Sequence, residues 1–147
     1  METISPPSYD PALVYAHLER DEGRHRHVYA DTMGNPTIGV GRNLAGRGLS
    51  DSEIDYLLRN DVALAELDLS RSLPWWTNLN PVRQAVLLEM AFNMGIDGLL
   101  TFRSTLADVA AGHWQDAAQG MRNSLWHQQV GARAERLAYA MEHGEFP

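Results

Sequence analysis

The sequence predicts an α+β fold in which a small N-terminal sheet lobe and a larger helical lobe are joined by a long helix. Residues 24–47 alternate and are rich in turn residues, which is typical of short antiparallel strands. From about residue 50 onward, apolar residues recur at helical spacing. A chain of 147 residues can bury one core. We therefore expect a single domain with a polar arm (1–10), a sheet lobe that includes the first helix (about 11–49) and a helical lobe (about 50–147).

The first helix is predicted to begin at Asp10-Pro11, because Asp caps helices and Pro is tolerated at the first helical position. Glycine commonly follows a helix, so this one should end near Glu22 and Gly23. Glu22 follows the spacing of the apolar residues of this helix and is expected to lie at the end of a buried stripe. Partial desolvation there would favour its protonated form, whereas a nearby cation would oppose this, so the sequence predicts no net direction.

The sheet is predicted from three short stretches that follow the helix. Residues 24–30 (RHRHVYA) alternate, residues 31–37 (DTMGNPT) are dense in turn formers, and residues 37–41 (TIGVG) alternate again. We expect a small antiparallel hairpin or three-stranded sheet.

The helical lobe is predicted from caps and breakers. Ser50 and Glu53 form a capping box, which opens a helix that should run to about Leu69. The stretch after Asn80-Pro81 is apolar nearly all round, so we expect a fully buried helix that ends at Gly95. The remaining predicted helices lie around residues 102–111, 114–122 and 132–143.

Composition excludes several classes of function. The net charge of −7 argues against a nucleic-acid partner and against adhesion to anionic lipid. No apolar run is long enough for membrane insertion, and residues 1–10 do not resemble a secretory leader. Cysteine is absent, which excludes disulfides and thiolate metal sites. His25 and His27 share a strand face but lack a third ligand nearby, so we expect no metal and no cofactor.

Two carboxylates and a hydroxyl are the candidate chemistry. Glu22 should sit at the edge of the core, whereas Asp31 begins a polar turn and should remain ionised. Carboxyl groups in such different environments are typical of the acid/base pair of a glycosidase. Thr37 adds a hydroxyl that can orient a water beside Asp31. On spacing alone, however, such a pair is more often two solvated surface charges.

The whole segment resembles the phage-type lysozymes, glycoside hydrolase family 24, to which T-even phage lysozyme and its endolysin relatives belong. The resemblance is carried by Glu-x8-Asp-x5-Thr within DEG…Y-x-D-T…TIG-x-G. It continues, in order, through further segments of the chain: NDV (60–62), VRQAVLLEMAFNMG (82–95), W-x-x-AA (114–118), S-x-W (124–126) and RA-x-R (133–136).

This resemblance implies a lysozyme-like fold with an active-site cleft between the lobes. It implies a muramidase that hydrolyses the β-1,4 bond between N-acetylmuramic acid and N-acetylglucosamine with inversion. Glu22 would be the general acid, Asp31 the base, and Thr37 would hold the attacking water. Inversion requires the two carboxyl groups to lie roughly 6.5–9.5 Å apart.

The resemblance also implies residues that bind substrate and support the site. The substrate contacts fall on Phe92, Asn93, Thr105 and Ser124. The supporting ion pairs would be Arg133 with Glu22, Arg136 with Asp21, and Arg42 with Asp61. Two departures stand out: Arg42 replaces a histidine of the best-known member, and Gly120 cannot supply the side-chain contact made there.

As an endolysin, the protein would act on peptidoglycan glycan strands as a monomer. It would accumulate in the host cytoplasm until a holin releases it to the cell wall, without a stable complex with the holin, and host lysis would free phage progeny. Two alternatives remain open. A lytic transglycosylase would need only one catalytic Glu, and a non-catalytic wall-binding virion module would need none.

Overall fold

The structure, a computed structural model, describes residues 4–147. The chain divides into two compact units, one ending at Ile54 and the other spanning Asp55–Pro147. Across residues 4–147, seven helices and three short strands make up an α+β fold, as the sequence predicts.

Unit 1 begins with helix α1, Pro11–Glu22. Asp10 caps it by accepting a hydrogen bond from the backbone N–H of Ala12 at 3.0 Å. Gly23, with φ 78°, ends it and turns the chain toward the sheet. Both helix ends lie where the sequence places them. The predicted buried stripe was wrong within unit 1, because α1 has no buried residue and Glu22 is exposed.

Three antiparallel strands follow in the order β1 (His25–Ala30), β2 (Pro36–Gly39) and β3 (Arg42–Asn43). Thr37 lies on the central strand, opposite Tyr29 on one side and Asn43 on the other. Its exposure is 2%, and it is the one buried residue among residues 4–54. Of the two predicted alternatives, a hairpin or a three-stranded sheet, the three-stranded sheet is the one formed, and Thr37 lies on its central strand.

Helix α2, Asp51–Ser72, runs three residues beyond the predicted end. Its capping box is formed on both sides: Glu53 donates its N–H to the Ser50 hydroxyl at 3.3 Å, and the Ser50 N–H donates to Glu53 at 3.0 Å. Glu53 also lies 2.6 Å from the Arg42 guanidinium, which connects β3 to the start of α2.

After α2, a 3₁₀ turn at Pro74–Asn78 leads to the remaining helices of unit 2. They are α3 (Pro81–Leu100), α4 (Arg103–Ala111), α5 (Trp114–Arg122), α6 (Leu125–Val130) and α7 (Ala132–His143). The backbone of α3 breaks at Gly95, with φ 76° and ψ 161°, which is where the sequence predicts its end. Only α6 was not predicted, although its cap, Ser124, is a helix-start residue.

The core of unit 2 is formed by long apolar side chains from α2 through α7. The largest of them that are fully buried are Leu69, Val86, Leu87, Met90, Leu99, Val109, Met121, Leu137 and Met141. Arg83 of α3 donates to the carbonyls of Met141 and Glu142 at 2.7 and 3.0 Å, which satisfies the C-terminal end of α7. Among the described residues, no single helix is long and apolar enough to cross a membrane.

Candidate active site

The carboxylate of Glu22 lies against the backbone of the turn between β2 and β3. A Cβ atom at Gly41 would lie only 2.8 Å from Oε2 of Glu22. Gly41 also has a φ of 68°, a conformation that disfavours any residue with a side chain. Glycine at position 41 therefore makes room for the predicted acid and permits the turn that faces it.

Three hydrogen bonds hold the carboxylate of Asp31, and all of them are donated from its own turn. Oδ1 accepts from the N–H groups of Met33 at 2.9 Å and Asn35 at 2.8 Å, and Oδ2 accepts from the Asn35 side chain at 3.2 Å. The N–H of Asn35 does most to lower the pKa of Asp31, burial opposes it, and the Asn35 amide and Met33 N–H add to the lowering. The expected ionised state of Asp31 agrees with this direction.

The hydroxyl of Thr37 donates to the backbone carbonyl of Asn35 at 2.8 Å. Because the hydroxyl proton is used in that bond, the Thr37 oxygen can only accept a hydrogen bond from a further partner. Thr37 and Asp31 are thus both hydrogen-bonded to Asn35, a residue that the sequence analysis did not single out. The D-x3-N-P-T pattern is the signal that would have found it, because Asp side chains commonly bond to the backbone of their own turn.

Each of the implied ion pairs joins a residue of unit 1 to a residue of unit 2, so these pairs stay predictions. The distance between the carboxyl groups of Glu22 and Asp31 also stays a prediction. Within unit 1, Arg42 contacts Glu53 and also donates to the carbonyl of Gly48 at 3.1 Å. Within unit 2, Arg133 lies 3.9 Å from Glu89.

Two of the predicted substrate contacts are exposed on α3. Phe92, 44% exposed, lines a pocket of about 260 Å³ together with Asp61 and Ile96. Asn93 accepts a hydrogen bond from the indole N–H of Trp126 at 2.8 Å through its side-chain oxygen. Within unit 2, the NH₂ group of Asn93 makes no hydrogen bond, so binding of substrate by this group stays a prediction.

Ser124 and Thr105, the other two predicted substrate contacts, both interact with neighbouring residues of unit 2. Ser124 caps α6 by accepting from the N–H of His127 at 3.1 Å, and it donates to the carbonyl of Met121 at 2.6 Å. Thr105 is buried, and a Cβ atom at Gly120 would overlap its hydroxyl. Binding of substrate by Ser124 and Thr105 stays a prediction.

One group of side chains in the described residues has the spacing of a metal site. Ligand atoms of Asp108, His113 and Asp116, around the junction of α4 and α5, lie within 4.8 Å of one another. His113 and Asp116 are exposed, and none of the predicted site residues belongs to this group. The histidines that the sequence offers for a metal site are His25 and His27 instead, and the ring of His25 lies 4.0 Å from that of Tyr29 between centroids.

Comparison with known proteins gives a family match over most of the chain. Residues 19–139 match the family described as Phage lysozyme. The chain is 34% identical to the pre-baseplate central spike protein Gp5 of Enterobacteria phage T4, over 82% of this chain but 26% of that protein. It is also 29% identical to probable T4-type lysozyme 1 of Dictyostelium discoideum, over 86% of this chain and 92% of that protein.

A second Dictyostelium discoideum relative, probable T4-type lysozyme 2, is 28% identical over the same shares of both chains. The chain thus spans about a quarter of the spike protein but nearly all of the two lysozymes. The family match includes Glu22, Asp31 and Thr37 and most of the helical unit. This chain belongs to the phage lysozyme family, a family of glycoside hydrolases.

Proposed function

We propose that this protein is a muramidase that hydrolyses the β-1,4 bond between N-acetylmuramic acid and N-acetylglucosamine in bacterial peptidoglycan. The observation that supports this most is the arrangement around Asn35. An ionised carboxylate and a hydroxyl whose own proton is already donated, so that its oxygen can only accept, are both hydrogen-bonded to this one residue. An acceptor pair of this kind suits the orientation of a water molecule.

Each residue of the proposed triad has a separate role. Glu22 donates a proton to the glycosidic oxygen as the bond to the anomeric carbon breaks. Asp31, kept ionised by its three donors, accepts a proton from a water that attacks the opposite face of the sugar. Thr37 accepts the second hydrogen of that water, because its own proton is bonded to Asn35. The product has inverted configuration.

The test of this reaction is the release of reducing ends from purified peptidoglycan. Glu22→Gln removes the proton donor with little change in shape, so we expect hydrolysis to fall by roughly 10²–10⁴-fold. Glu19→Gln is the matched control: Glu19 lies one turn earlier on α1 and pairs with the exposed Arg24 at 2.8 Å. Equal release by wild type and Glu22→Gln would remove Glu22 from its role.

A lytic transglycosylase would cleave the same bond without a positioned water. The fixed acceptors on Asp31 and Thr37 favour hydrolysis, since a transglycosylase has no use for them. Product analysis separates the two reactions: hydrolysis gives reducing sugars, whereas 1,6-anhydro sugars would reject it.

We further propose an endolysin role for this activity. The protein would accumulate as a monomer in the host cytoplasm and reach the peptidoglycan when a holin opens the membrane, releasing phage progeny. Co-expression with a holin should lyse cells, whereas expression alone should not. Lysis without a holin would contradict this part of the proposal.

A second candidate role is a lytic module of the virion. The 34% identity to a central spike protein, of which this chain covers 26%, favours it. Antibody detection of the protein in purified phage particles would support the virion role. Its confinement to the soluble fraction of the lysate would support the endolysin role.

A further inference from the structure

Asn35 connects the predicted base to the predicted water-holding hydroxyl through four hydrogen bonds. Its N–H and its side-chain NH₂ donate to the two oxygens of Asp31, at 2.8 and 3.2 Å. Its carbonyl accepts from the Thr37 hydroxyl at 2.8 Å and from the Asp31 N–H at 3.0 Å. Any residue except proline can make the backbone bonds, but the bond to Oδ2 needs the amide of Asn35.

The turn that carries these groups is itself well defined. Residues 31–35 connect β1 to β2, and Ala30 pairs with Pro36 at the base of the turn. Gly34 donates to the Asp31 carbonyl at 3.0 Å and has a φ of 81°, which lets the chain turn back into β2. The Asn35 amide is therefore presented to Asp31 by backbone geometry.

Counting acceptor sites shows what remains on the carboxylate. An ionised carboxylate has about four lone-pair sites, two on each oxygen. Oδ1 of Asp31 uses both of its sites for the N–H groups of Met33 and Asn35. Oδ2 uses one for the Asn35 amide, which leaves one site on the same oxygen.

We propose that Asn35 is a positioning residue that leaves one acceptor site on Asp31, on Oδ2, and directs that site at the attacking water. This inference rests on the proposed hydrolysis. In that reaction the water oxygen bonds to the anomeric carbon and one water proton passes to Oδ2 of Asp31. The glycosidic C–O bond breaks, and the proton of Glu22 goes to the leaving oxygen.

The donors that fix Asp31 also make it a weaker base. They lower its pKa, with the Asn35 N–H as the largest cause, burial opposing, and the Asn35 amide next. General-base catalysis gains when the pKa of the base approaches the working pH, so these donors do not add basic strength. What they add is direction, which counts because misplaced reacting atoms lower rates steeply.

Two substitutions at position 35 separate positioning from simple support of the turn. Asn35→Ala removes the amide, and Asn35→Asp keeps the shape of the side chain while replacing the donor by a second carboxylate. We expect the pKa of Asp31, measured by ¹³C NMR titration of its carboxyl carbon, to rise in the order wild type, Asn35→Ala, Asn35→Asp. The acid limb of the kcat/KM profile should move upward in the same order.

In Asn35→Ala, kcat should fall roughly tenfold, because the acceptor is no longer fixed, while KM stays within about twofold. Asn43→Ala is the matched control, since it removes an amide side chain that supports a turn of the same sheet by accepting from Gly46 at 2.9 Å. It should leave the titration of Asp31 unchanged.

Three results would overturn the inference: an Asp31 titration that is the same in wild type and folded Asn35→Ala, an equal shift in Asn43→Ala, or a raised pKa with unchanged kcat. A wild-type protein that does not hydrolyse peptidoglycan would refute the proposed function instead. The NMR titration would still decide whether Asn35 controls Asp31.

Discussion

A Cβ atom at Gly41 would lie 2.8 Å from Oε2 of Glu22 and 3.0 Å from its carboxyl carbon. In this arrangement the carboxylate occupies the space that a side chain at position 41 would need, so a larger residue there would displace it.

Gly41→Ala should displace the Glu22 carboxylate and lower kcat roughly 10–100-fold. Gly39→Ala is the matched control, because Gly39 has the same φ of 68° but nothing within 4 Å of a Cβ atom. Both variants should lose about 1–2 kcal/mol of unfolding free energy from backbone strain. Equal activity in the two would show that strain, and not contact with Glu22, limits the enzyme.

Arg42→Ala should destabilise the protein, because it removes the 2.6 Å pair with Glu53 and the hydrogen bond to the Gly48 carbonyl. We expect the Tm to fall by roughly 2–4 °C. Arg47→Ala is the control, since Arg47 is an exposed arginine near the same turn. An unchanged Tm in Arg42→Ala would contradict the prediction.

Glu53 should make stability depend on pH in acid. The N–H and hydroxyl of Ser50, followed by Arg42, lower the pKa of Glu53 from 4.5 to about 2. Because the folded pKa is the lower one, this stabilisation is present above about pH 4.5 and is lost as the pH falls toward about 2. Measured by urea unfolding, the Glu53→Gln variant should therefore lose less free energy of unfolding than wild type as the pH falls from about 4.5 to about 2. Parallel curves for the two proteins would argue against it.

Asn93→Asp should weaken substrate binding while leaving the fold intact. The new side chain still offers Trp126 an acceptor oxygen, but it replaces the NH₂ donor of Asn93 by a carboxylate oxygen. Loss of one hydrogen bond predicts a KM about 2–10-fold higher, with little change in kcat. Asn123→Asp makes the same charge change at another exposed position. An equal rise in KM in Asn123→Asp would show that the added negative charge, and not the lost hydrogen bond, raises the KM of Asn93→Asp.

Gly120→Ala should destabilise the protein, although alanine is normally better than glycine inside a helix by roughly 1 kcal/mol. The added Cβ would overlap the hydroxyl of Thr105. In a Thr105→Ala background the same change should become stabilising. A double-mutant cycle in urea should give a coupling of roughly 1–3 kcal/mol, and additive effects would contradict the packing argument.

Sequence patterns predict most of the helices here from the caps and glycines at their ends, although α6, with Ser124 and Gly131 at its ends, was missed. Asp10 and Gly23 bound α1, and the Ser50–Glu53 capping box opens α2, because these signals act through bonds to neighbouring backbone groups. The same locality explains why Glu22, Asp31 and Thr37 could be gathered on one unit from sequence.

The details that the sequence did not predict depend on geometry that spacing alone does not determine. Asn35 meets Asp31 only because the turn folds back at Gly34, and Glu53 meets Arg42 only because β3 ends beside the start of α2. Asp108 approaches His113 across the end of α4 for a similar reason. The buried stripe of α1 was wrong within unit 1, since helical spacing identifies an apolar face but not what covers it.

Thr37 is the one buried residue among residues 4–54, so unit 1 holds its shape mainly through strand pairing and turn hydrogen bonds. Amide hydrogens of the sheet should then exchange with solvent through small local openings, whereas those of α5 and α7 should wait for global unfolding. The proposed triad would accordingly belong to the foldon that opens first. Catalysis would be lost on heating before most of the helical signal in circular dichroism, which comes from unit 2, changes.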